Sequence, residues 1–163
     1  VAVIDTGLDT LTGGRCKIVS KSIGNETCFL TYGDGLSDVN INNLLKFHQK
    51  NKKLITVTAV HPSARFGELN LDGDKVLSFK EKPQLQKGWI NGGFFVVEPG
   101  FFNYIENPNV MLEREPMYKL VKRKQLNAFQ HQGFWQCMDT MRDKIFLMQL
   151  IKKRSAPWMK RYD

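Results

Sequence analysis

The order strand, helix, strand over Cys28–Val60 constrains the fold of this chain more than any other feature of its sequence. Residues 28–32 form an apolar run, residues 41–48 carry apolar side chains at helical spacing, and residues 54–60 are rich in β-branched side chains. A helix between two such strands is typical of a parallel crossover unit. The sequence therefore predicts an α/β fold.

The first predicted strand ends in a carboxylate held between two glycines, Gly33-Asp34-Gly35. A buried strand needs no charge and a plain turn needs only one glycine, so this tip indicates a backbone cleared for a close approach. In open α/β sheets, ligands bind beyond the carboxyl ends of the strands. We therefore expect Asp34 to face a phosphate and its metal ion, with a simple turn as the alternative.

The rest of the chain predicts further strands and helices. Residues 66–71 and 76–79 alternate in polarity around Asp72-Gly73-Asp74, which is the usual signal of a β-hairpin. A strand is expected over residues 90–97. Five helices are expected: from about Gly14 to Ser22, from Asp38 or Asn40 to Lys50-Asn51, from Pro99 to Ile105, from Glu115 to Lys124, and from Thr140 to Lys153. Thr12 is the expected cap of the first helix. The last helix has an apolar face formed by Met141, Ile145, Leu147, Met148 and Ile151.

The composition excludes several classes of protein. A chain of 163 residues with 42% hydrophobic and 25% charged residues suits one globular domain. No stretch approaches the roughly 20 apolar residues of a membrane span, so no membrane association is expected. The net charge of +8 favours a polyanionic partner. Nucleic acid ranks below phosphorylated small molecules, because the basic residues are not interleaved with aromatic ones on a stacking platform.

Three smaller features of the sequence each lead to one expectation: the cysteines, the histidines and the amino-terminal residue. Three widely separated cysteines indicate neither a disulfide framework nor a zinc site, which favours reduced thiols in a cytoplasm. The three histidines lack ligand spacing and are expected at the surface or in a supporting position. Because Val1 enters at once with a strand-like run, we expect further sequence upstream.

Three other segments offer candidate chemistry. Asp139 follows an aromatic-containing strand, so it could share a Mg²⁺ ion with Asp34 or simply cap the following helix. Lys82, at the end of a strand, could be a point charge for a phosphate or a solvated lysine. The turn over residues 10–15 could hold an anion through its backbone donors and Arg15, or could be a plain helix start.

The joint order of these segments resembles the sugar-nucleotide pyrophosphorylases, and within them the cytidylyl branch. The resemblance covers nearly the whole chain. It rests on Asp5-Thr6-Gly7, Thr12-Gly13-Gly14-Arg15, Thr31-Tyr32-Gly33-Asp34-Gly35, Arg65-Phe66-Gly67, Glu81-Lys82-Pro83, Ile90-Asn91-Gly92-Gly93-Phe94-Phe95, Gly133 to Thr140, and Ala156-Pro157-Trp158.

The resemblance implies a Rossmann-like, three-layer α/β/α fold with a mixed, mainly parallel sheet, incomplete at its amino terminus. It implies one nucleotidyltransferase domain over residues 1–163, with the rest of the nucleotide-binding half in residues 1–60 and the sugar-phosphate half in residues 61–163. The implied reaction converts CTP and α-D-glucose 1-phosphate into CDP-glucose and pyrophosphate with Mg²⁺. It also implies a cytoplasmic enzyme of O-antigen sugar biosynthesis that forms a homo-oligomer when full length.

The resemblance also implies roles for individual residues. Asp34 and Asp139 would hold the metal, and together with Lys82 they would be the catalytic residues. Thr10, Thr12, Arg15 and Gly33 would bind the nucleotide, and Glu81, Lys82, Asn91 and Gly92 would bind the sugar phosphate.

One departure from the family pattern leaves alternatives open. The family begins with a glycine-rich loop that ends in an arginine, followed by a lysine, and both grip the triphosphate; this chain has neither, so about the first third of an enzyme is expected to be missing. A non-catalytic nucleotide-sugar-binding protein is therefore one alternative, and a pyrophosphorylase that uses dTTP or UTP is another.

Overall fold

The computed structural model describes residues 1–62, 68–80 and 88–159. Most of the described helices and strands are those expected from the sequence, but the strands Gly35–Ser37 and Leu126–Gln130 are not, and the strand-like run at residues 1–4 forms no strand. The α-helices are α1 (Thr12–Ile23), α2 (Ile41–Asn51), α3 (Glu115–Lys122) and α4 (Met141–Lys152), and the 3₁₀ helices are Pro99–Tyr104 and Pro157–Met159. The strands are β1 (Cys28–Thr31), β2 (Gly35–Ser37), β3 (Ile55–Val60), β4 (Glu68–Asp72), β5 (Lys75–Lys80), β6 (Ile90–Val97), β7 (Leu126–Gln130) and β8 (Trp135–Cys137).

The main sheet is mixed and has four strands in the order β1-β6-β3-β7. β1 and β6 are antiparallel, with Cys28 opposite Val97. β3 and β7 run in the same direction, because the carbonyl of Gln125 accepts from the amide of Ile55 and that of Ala59 accepts from the amide of His131. The α/β class is therefore confirmed. The two strands of the predicted crossover are not neighbours, however, because β6 lies between them.

The core is centred on β3 and β6, whose side chains are buried at nearly every position beyond the first residues of β6. Phe95, Val96 and Val97 are at most 1% exposed. Fully burying each side chain of this kind contributes about 1.5–3 kcal/mol. Two strands that read as continuous apolar runs are thus the most strongly specified elements of the fold.

The predicted hairpin is confirmed, and it forms a separate two-stranded sheet from β4 and β5. Asp72 lies opposite Lys75, so Gly73 and Asp74 form the two-residue turn. Gly73 has a φ of 56°, in the left-handed region that glycine tolerates best. The start of the predicted first strand at residue 66 lies outside the described residues.

One helix prediction needs correction at its cap, and the structure defines the type of another helix. Thr12 does not cap α1, because the helix already includes it and Leu11 occupies the cap position without a side-chain cap bond. The predicted helix that starts at Pro99 is a 3₁₀ helix, in which the amide of Ile105 donates to the carbonyl of Phe102, three residues back.

The apolar face predicted for α4 is mostly exposed and is not a buried face. Only Leu147 among its five members is buried, and the other four are 49–67% exposed. Helical spacing shows which side chains share a face, but another element must cover that face before it becomes part of a core.

The chain divides into two compact units. The first contains residues 1–31, 41–57 and 93–129, and the second contains residues 32–40, 58–92 and 130–163. The resemblance divides the chain near residue 60 into a nucleotide-binding half and a sugar-phosphate half. That division concerns ligand binding and stays a prediction. Within the described ranges, no helix is long and apolar enough to cross a membrane.

Candidate active site

A short antiparallel ribbon in the second unit brings together the segments that carry Asp34 and Asp139. β2 pairs with β8, and Gly35 lies opposite Cys137. Just beyond the ladder, the amide of Met138 donates to the carbonyl of Asp34 at 2.8 Å. Two acids separated by about a hundred positions in the sequence therefore flank the same end of one ribbon.

The side chains of both acids remain accessible for a ligand. Both residues are exposed. Thr140 caps α4, since its hydroxyl accepts from the amide of Asp143 and the Asp143 carboxylate accepts from the amide of Thr140. The alternative in which Asp139 serves as the helix cap is therefore wrong. Among the described residues the carboxylate of Asp34 makes no hydrogen bond or ion pair.

The thiol of Cys137 contacts one of these acids. Its sulfur lies 3.2 Å from Oδ2 of Asp139, in position to donate a hydrogen bond. Burial, followed by this hydrogen bond and the negative charge of Asp139, raises the pKa of Cys137 to about 11. At neutral pH the thiol is therefore protonated and acts as a donor to the carboxylate.

The start of β6 lies against the same ribbon. The indole nitrogen of Trp135 donates to the carbonyl of Gly92 at 2.8 Å. Gly92 is buried, and a Cβ added there would lie 2.8 Å from a methyl group of Val60, so the chain itself requires glycine at this position. The exposed amide of Asn91 donates to the hydroxyl of Tyr32 at 3.4 Å. Five of the described, sequence-predicted site residues therefore belong to one compact unit: Gly33, Asp34, Asn91, Gly92 and Asp139.

Gly33 differs from Gly92 in what surrounds it. A Cβ added at Gly33 would meet no atom within 4 Å, so packing within the described chain does not account for this glycine. Open space beside an exposed backbone leaves room for a ligand next to Asp34.

The predicted nucleotide-binding turn lies in the first unit, where its glycines have a packing role. A Cβ added at Gly14 would lie 2.2 Å from the carbonyl oxygen of Pro108, and one at Gly13 would lie 2.7 Å from that of Val110. The Thr12 hydroxyl accepts from the amide of Leu112 at 2.9 Å. The first turn of α1 is thus held closely against the backbone of residues 108–112.

Arg15 and Thr10 shape the loop that precedes α1. The guanidinium of Arg15 donates to the hydroxyl of Thr6 and to the carbonyl of Leu8. The hydroxyl of Thr10 donates to the carbonyl of Thr6. These side chains hold the loop in one conformation, and their predicted contacts with a nucleotide stay a prediction.

Comparison with known proteins places this arrangement in a family. The family model described as nucleotidyl transferase matches residues 14–142. The chain belongs to the nucleotidyl transferase family. A glucose-1-phosphate cytidylyltransferase of Salmonella typhi is 44% identical over 159 residues, which cover 97% of this chain and 62% of the relative. The catalytic subunit beta of a mannose-1-phosphate guanylyltransferase of Danio rerio is 32% identical over 75% of this chain and 35% of its own length.

Solved structures support the fold of this chain. The structure of UDP-glucose pyrophosphorylase complexed with UDP-glucose matches with a TM-score of 0.68 at 15% identity, over 94% of this chain and 66% of that one. A likeness at this identity shows the fold alone, and it confirms the predicted Rossmann-like class with a mixed sheet. The chain spans less than two thirds of the length of its Salmonella typhi relative.

The residues at this end of the ribbon fit a magnesium ion. Mg²⁺ takes hard oxygen ligands and commonly uses one or two protein carboxylates, with water and substrate phosphate completing its shell. Asp34 and Asp139 supply two carboxylates on exposed residues at one end of the ribbon. The described residues contain no group of three or more His, Cys, Asp or Glu side chains that could form a fuller protein cage.

Two predicted site residues lie outside the described part of the chain. These are Glu81 and Lys82, together with the Arg65-Phe66-Gly67 segment of the resemblance. Their predicted contacts with the sugar phosphate stay predictions.

The sequence predicts the histidines at the surface or in a supporting position. His48 and His61 are 1% and 8% exposed, and the side chain of His131 is 12% exposed, so the surface alternative is wrong and the supporting one remains. His48 bridges Thr56 and Glu98 inside the first unit. His131 contacts Asp38, next to the ribbon. Spacing along the chain gave no signal for Glu98 or Asp38, because each lies on a segment distant from its histidine.

Proposed function

We propose that the protein that contains this chain transfers the nucleotidyl group of CTP to α-D-glucose 1-phosphate. A phosphate oxygen of the sugar attacks the α-phosphorus in line, a new P–O bond forms, and the bond to the β-phosphate oxygen breaks to release pyrophosphate. The family membership and the identity to a relative named glucose-1-phosphate cytidylyltransferase support this proposal. Other members of the same family carry other sugars and nucleotides in their names.

The observation that carries the proposal is the backbone hydrogen bond from Met138 to Asp34. Because it fixes the two acid-bearing segments side by side, Asp34 and Asp139 can serve one divalent cation. Mg²⁺ bound there would supply positive charge that offsets the charge of the reacting phosphates. No covalent enzyme intermediate is needed, since the main tasks are to position two anions and to neutralise them.

The other residues of the proposal bind and orient the substrates. Asn91 supplies an exposed amide, and Gly92 lies beside it in the backbone anchored by Trp135. An exposed amide suits the hydroxyl groups of a sugar ring. The predicted sugar contact of Gly92 rests on the resemblance. The remaining assignments concern residues whose substrate contacts rest on the resemblance: Glu81 and Lys82 for the sugar phosphate, and Thr10, Thr12, Arg15 and Gly33 for the nucleotide.

Asp34→Asn tests the proposal most directly. Removing one carboxylate charge from the proposed metal site should reduce pyrophosphate release from CTP and glucose 1-phosphate at least about 100-fold, on the order of the loss of one strong electrostatic contact. The exposed position of Asp34 predicts an unchanged unfolding midpoint. Activity is measured on the gene product that contains this chain.

Asp74→Asn is the matched control, because it removes the same charge from an exposed turn of the hairpin. The control should keep full activity. Turnover of Asp34→Asn within twofold of the unsubstituted protein would refute the metal site. Equal rates with CTP, UTP, dTTP and ATP would refute the choice of cytosine, and binding of CDP-glucose without any turnover would favour the non-catalytic alternative.

A cytoplasmic location, a homo-oligomeric state and a role in O-antigen sugar biosynthesis belong to the same proposal. They follow from the resemblance alone.

A further inference from the structure

The β2–β8 ribbon is too short to fix its own register. Each strand contributes three residues, and isolated two-stranded ribbons are marginal in water even when they are longer. A slip by one residue would move one strand by about 3.4 Å and turn its side chains to the opposite face. The hydrogen bond from the amide of Met138 to the carbonyl of Asp34 would then be lost.

The end of the ribbon opposite to the two acids is tied by several hydrogen bonds. Oδ1 of Asp38 accepts from the amide of Phe134 at 2.7 Å and lies 2.9 Å from Nε2 of His131. The same nitrogen lies 3.3 Å from the carbonyl oxygen of Phe134, so both of its partners are acceptors and Nε2 carries the proton. The carbonyl of Phe134 also accepts from the hydroxyl of Ser37 at 2.9 Å and from the amide of Asp38.

The turn at this end of the ribbon, residues 131–134 between β7 and β8, is anchored on both sides. The backbone amide of His131 donates to the carbonyl of Ala59, so the turn is attached to β3. A Cβ added at Gly133 would lie 2.4 Å from Oδ1 of Asp38 and 2.7 Å from Cε1 of His131, so the turn packs too closely for any side chain there. The Phe134 ring stacks on Trp158 with centroids 5.3 Å apart.

We propose that His131 and Asp38 are positioning residues that set the register of the β2–β8 ribbon and thereby hold Asp34 and Asp139 at one metal site. The metal part of this inference rests on the proposed function. The side chains of His131 and Asp38 are 12% and 22% exposed, so water competes only weakly for their hydrogen bond. Neither residue touches the substrate in this role.

The test compares Asp38→Ala, His131→Ala and Asp38→Asn. Asparagine keeps an acceptor oxygen for both Phe134 and His131, whereas alanine removes it. The structural readout, taken on the chain without substrate, is hydrogen exchange of the Met138 amide relative to the Ile55 amide, which is bonded to Gln125. The exchange rate of the Met138 amide divided by that of the Ile55 amide should rise at least tenfold in both alanine variants, relative to the unsubstituted protein. In Asp38→Asn this ratio should stay within threefold.

A second readout is the affinity for Mn²⁺, measured by electron paramagnetic resonance on the gene product that contains this chain. We expect the dissociation constant to rise about tenfold in the alanine variants and to change less than threefold in Asp38→Asn. Leu120→Ala is the control for general destabilisation, because this fully buried side chain lies in the first unit. It should lower the unfolding midpoint but leave the exchange rate of the Met138 amide and the Mn²⁺ affinity unchanged; the Ile55 amide, in the same unit as Leu120, is not used as the reference for this variant.

An unchanged exchange ratio in both alanine variants would overturn the proposal, as would an Asp38→Asn variant that loses as much protection as Asp38→Ala. If the unsubstituted protein binds no Mn²⁺, the metal site of the proposed function fails. The Met138 exchange ratio still decides whether His131 and Asp38 set the register of the ribbon.

Discussion

At the scale of the residue, the glycines of the Thr12-Gly13-Gly14-Arg15 and Gly33-Asp34-Gly35 segments have different roles. Gly14 allows the backbone of α1 to approach Pro108, whereas Gly33 has open space around it. One glycine is therefore needed for folding, and the other is free to serve a ligand. Sequence alone does not separate these roles, because each glycine stands beside a charged or polar neighbour in a turn-like segment.

Gly14→Ala and Gly33→Ala should separate the two roles. The added methyl group at Gly14 would contact backbone atoms that have little freedom to move, so we expect a loss of about 1–3 kcal/mol in the free energy of unfolding. Gly33→Ala should change it by less than about 0.5 kcal/mol. Urea denaturation measures both values, and a larger loss in Gly33→Ala would contradict the open space seen beside Asp34.

The helix cap of α4 is the clearest feature at the scale of the element. Thr140 and Asp143 form a complete capping box, in which each side chain accepts from the backbone amide of the other. Because Thr140 satisfies the free amides, the preceding acid can point elsewhere. The cap therefore positions Asp139 at the junction of β8 and α4 without using its carboxylate.

Thr140→Ala should cost about 1 kcal/mol in the free energy of unfolding, the usual cost of losing a helix cap. Asp139→Asn should leave stability nearly unchanged, because its carboxylate makes no cap bond. Thermal unfolding of the two variants at one pH gives the comparison. Equal destabilisation by both would contradict the assignment of Thr140 as the cap.

At the scale of the whole molecule, the charge of the chain sets what it attracts. A net charge of +8 favours phosphate-bearing ligands in general, and it does not by itself select a nucleotide over a nucleic acid. The two densest basic runs described are Lys122-Arg123-Lys124 and Lys152-Lys153-Arg154, at the ends of α3 and α4, where cations offset exposed carbonyl groups.

This origin of the charge predicts weak, non-specific binding to nucleic acid. On a generic DNA column, we expect the chain to elute below about 150 mM salt, because few phosphates would be neutralised at once. Replacing Lys152, Lys153 and Arg154 with glutamine should shift the elution only slightly. Retention above 300 mM salt that these substitutions abolish would favour nucleic-acid binding over the proposed enzyme.

The sequence by itself determined the α/β class, the hairpin at Gly73 and most of the helices and strands, although not β2 or β7. These depend on local periodicity and turn chemistry, which neighbouring residues fix. Only the tertiary structure decided that β6 separates β1 from β3, that the apolar face of α4 is mostly exposed, and that His131 meets Asp38. The physical reason is that strand neighbours, burial and long-range hydrogen bonds depend on which distant segments pack together, and no local pattern encodes that choice.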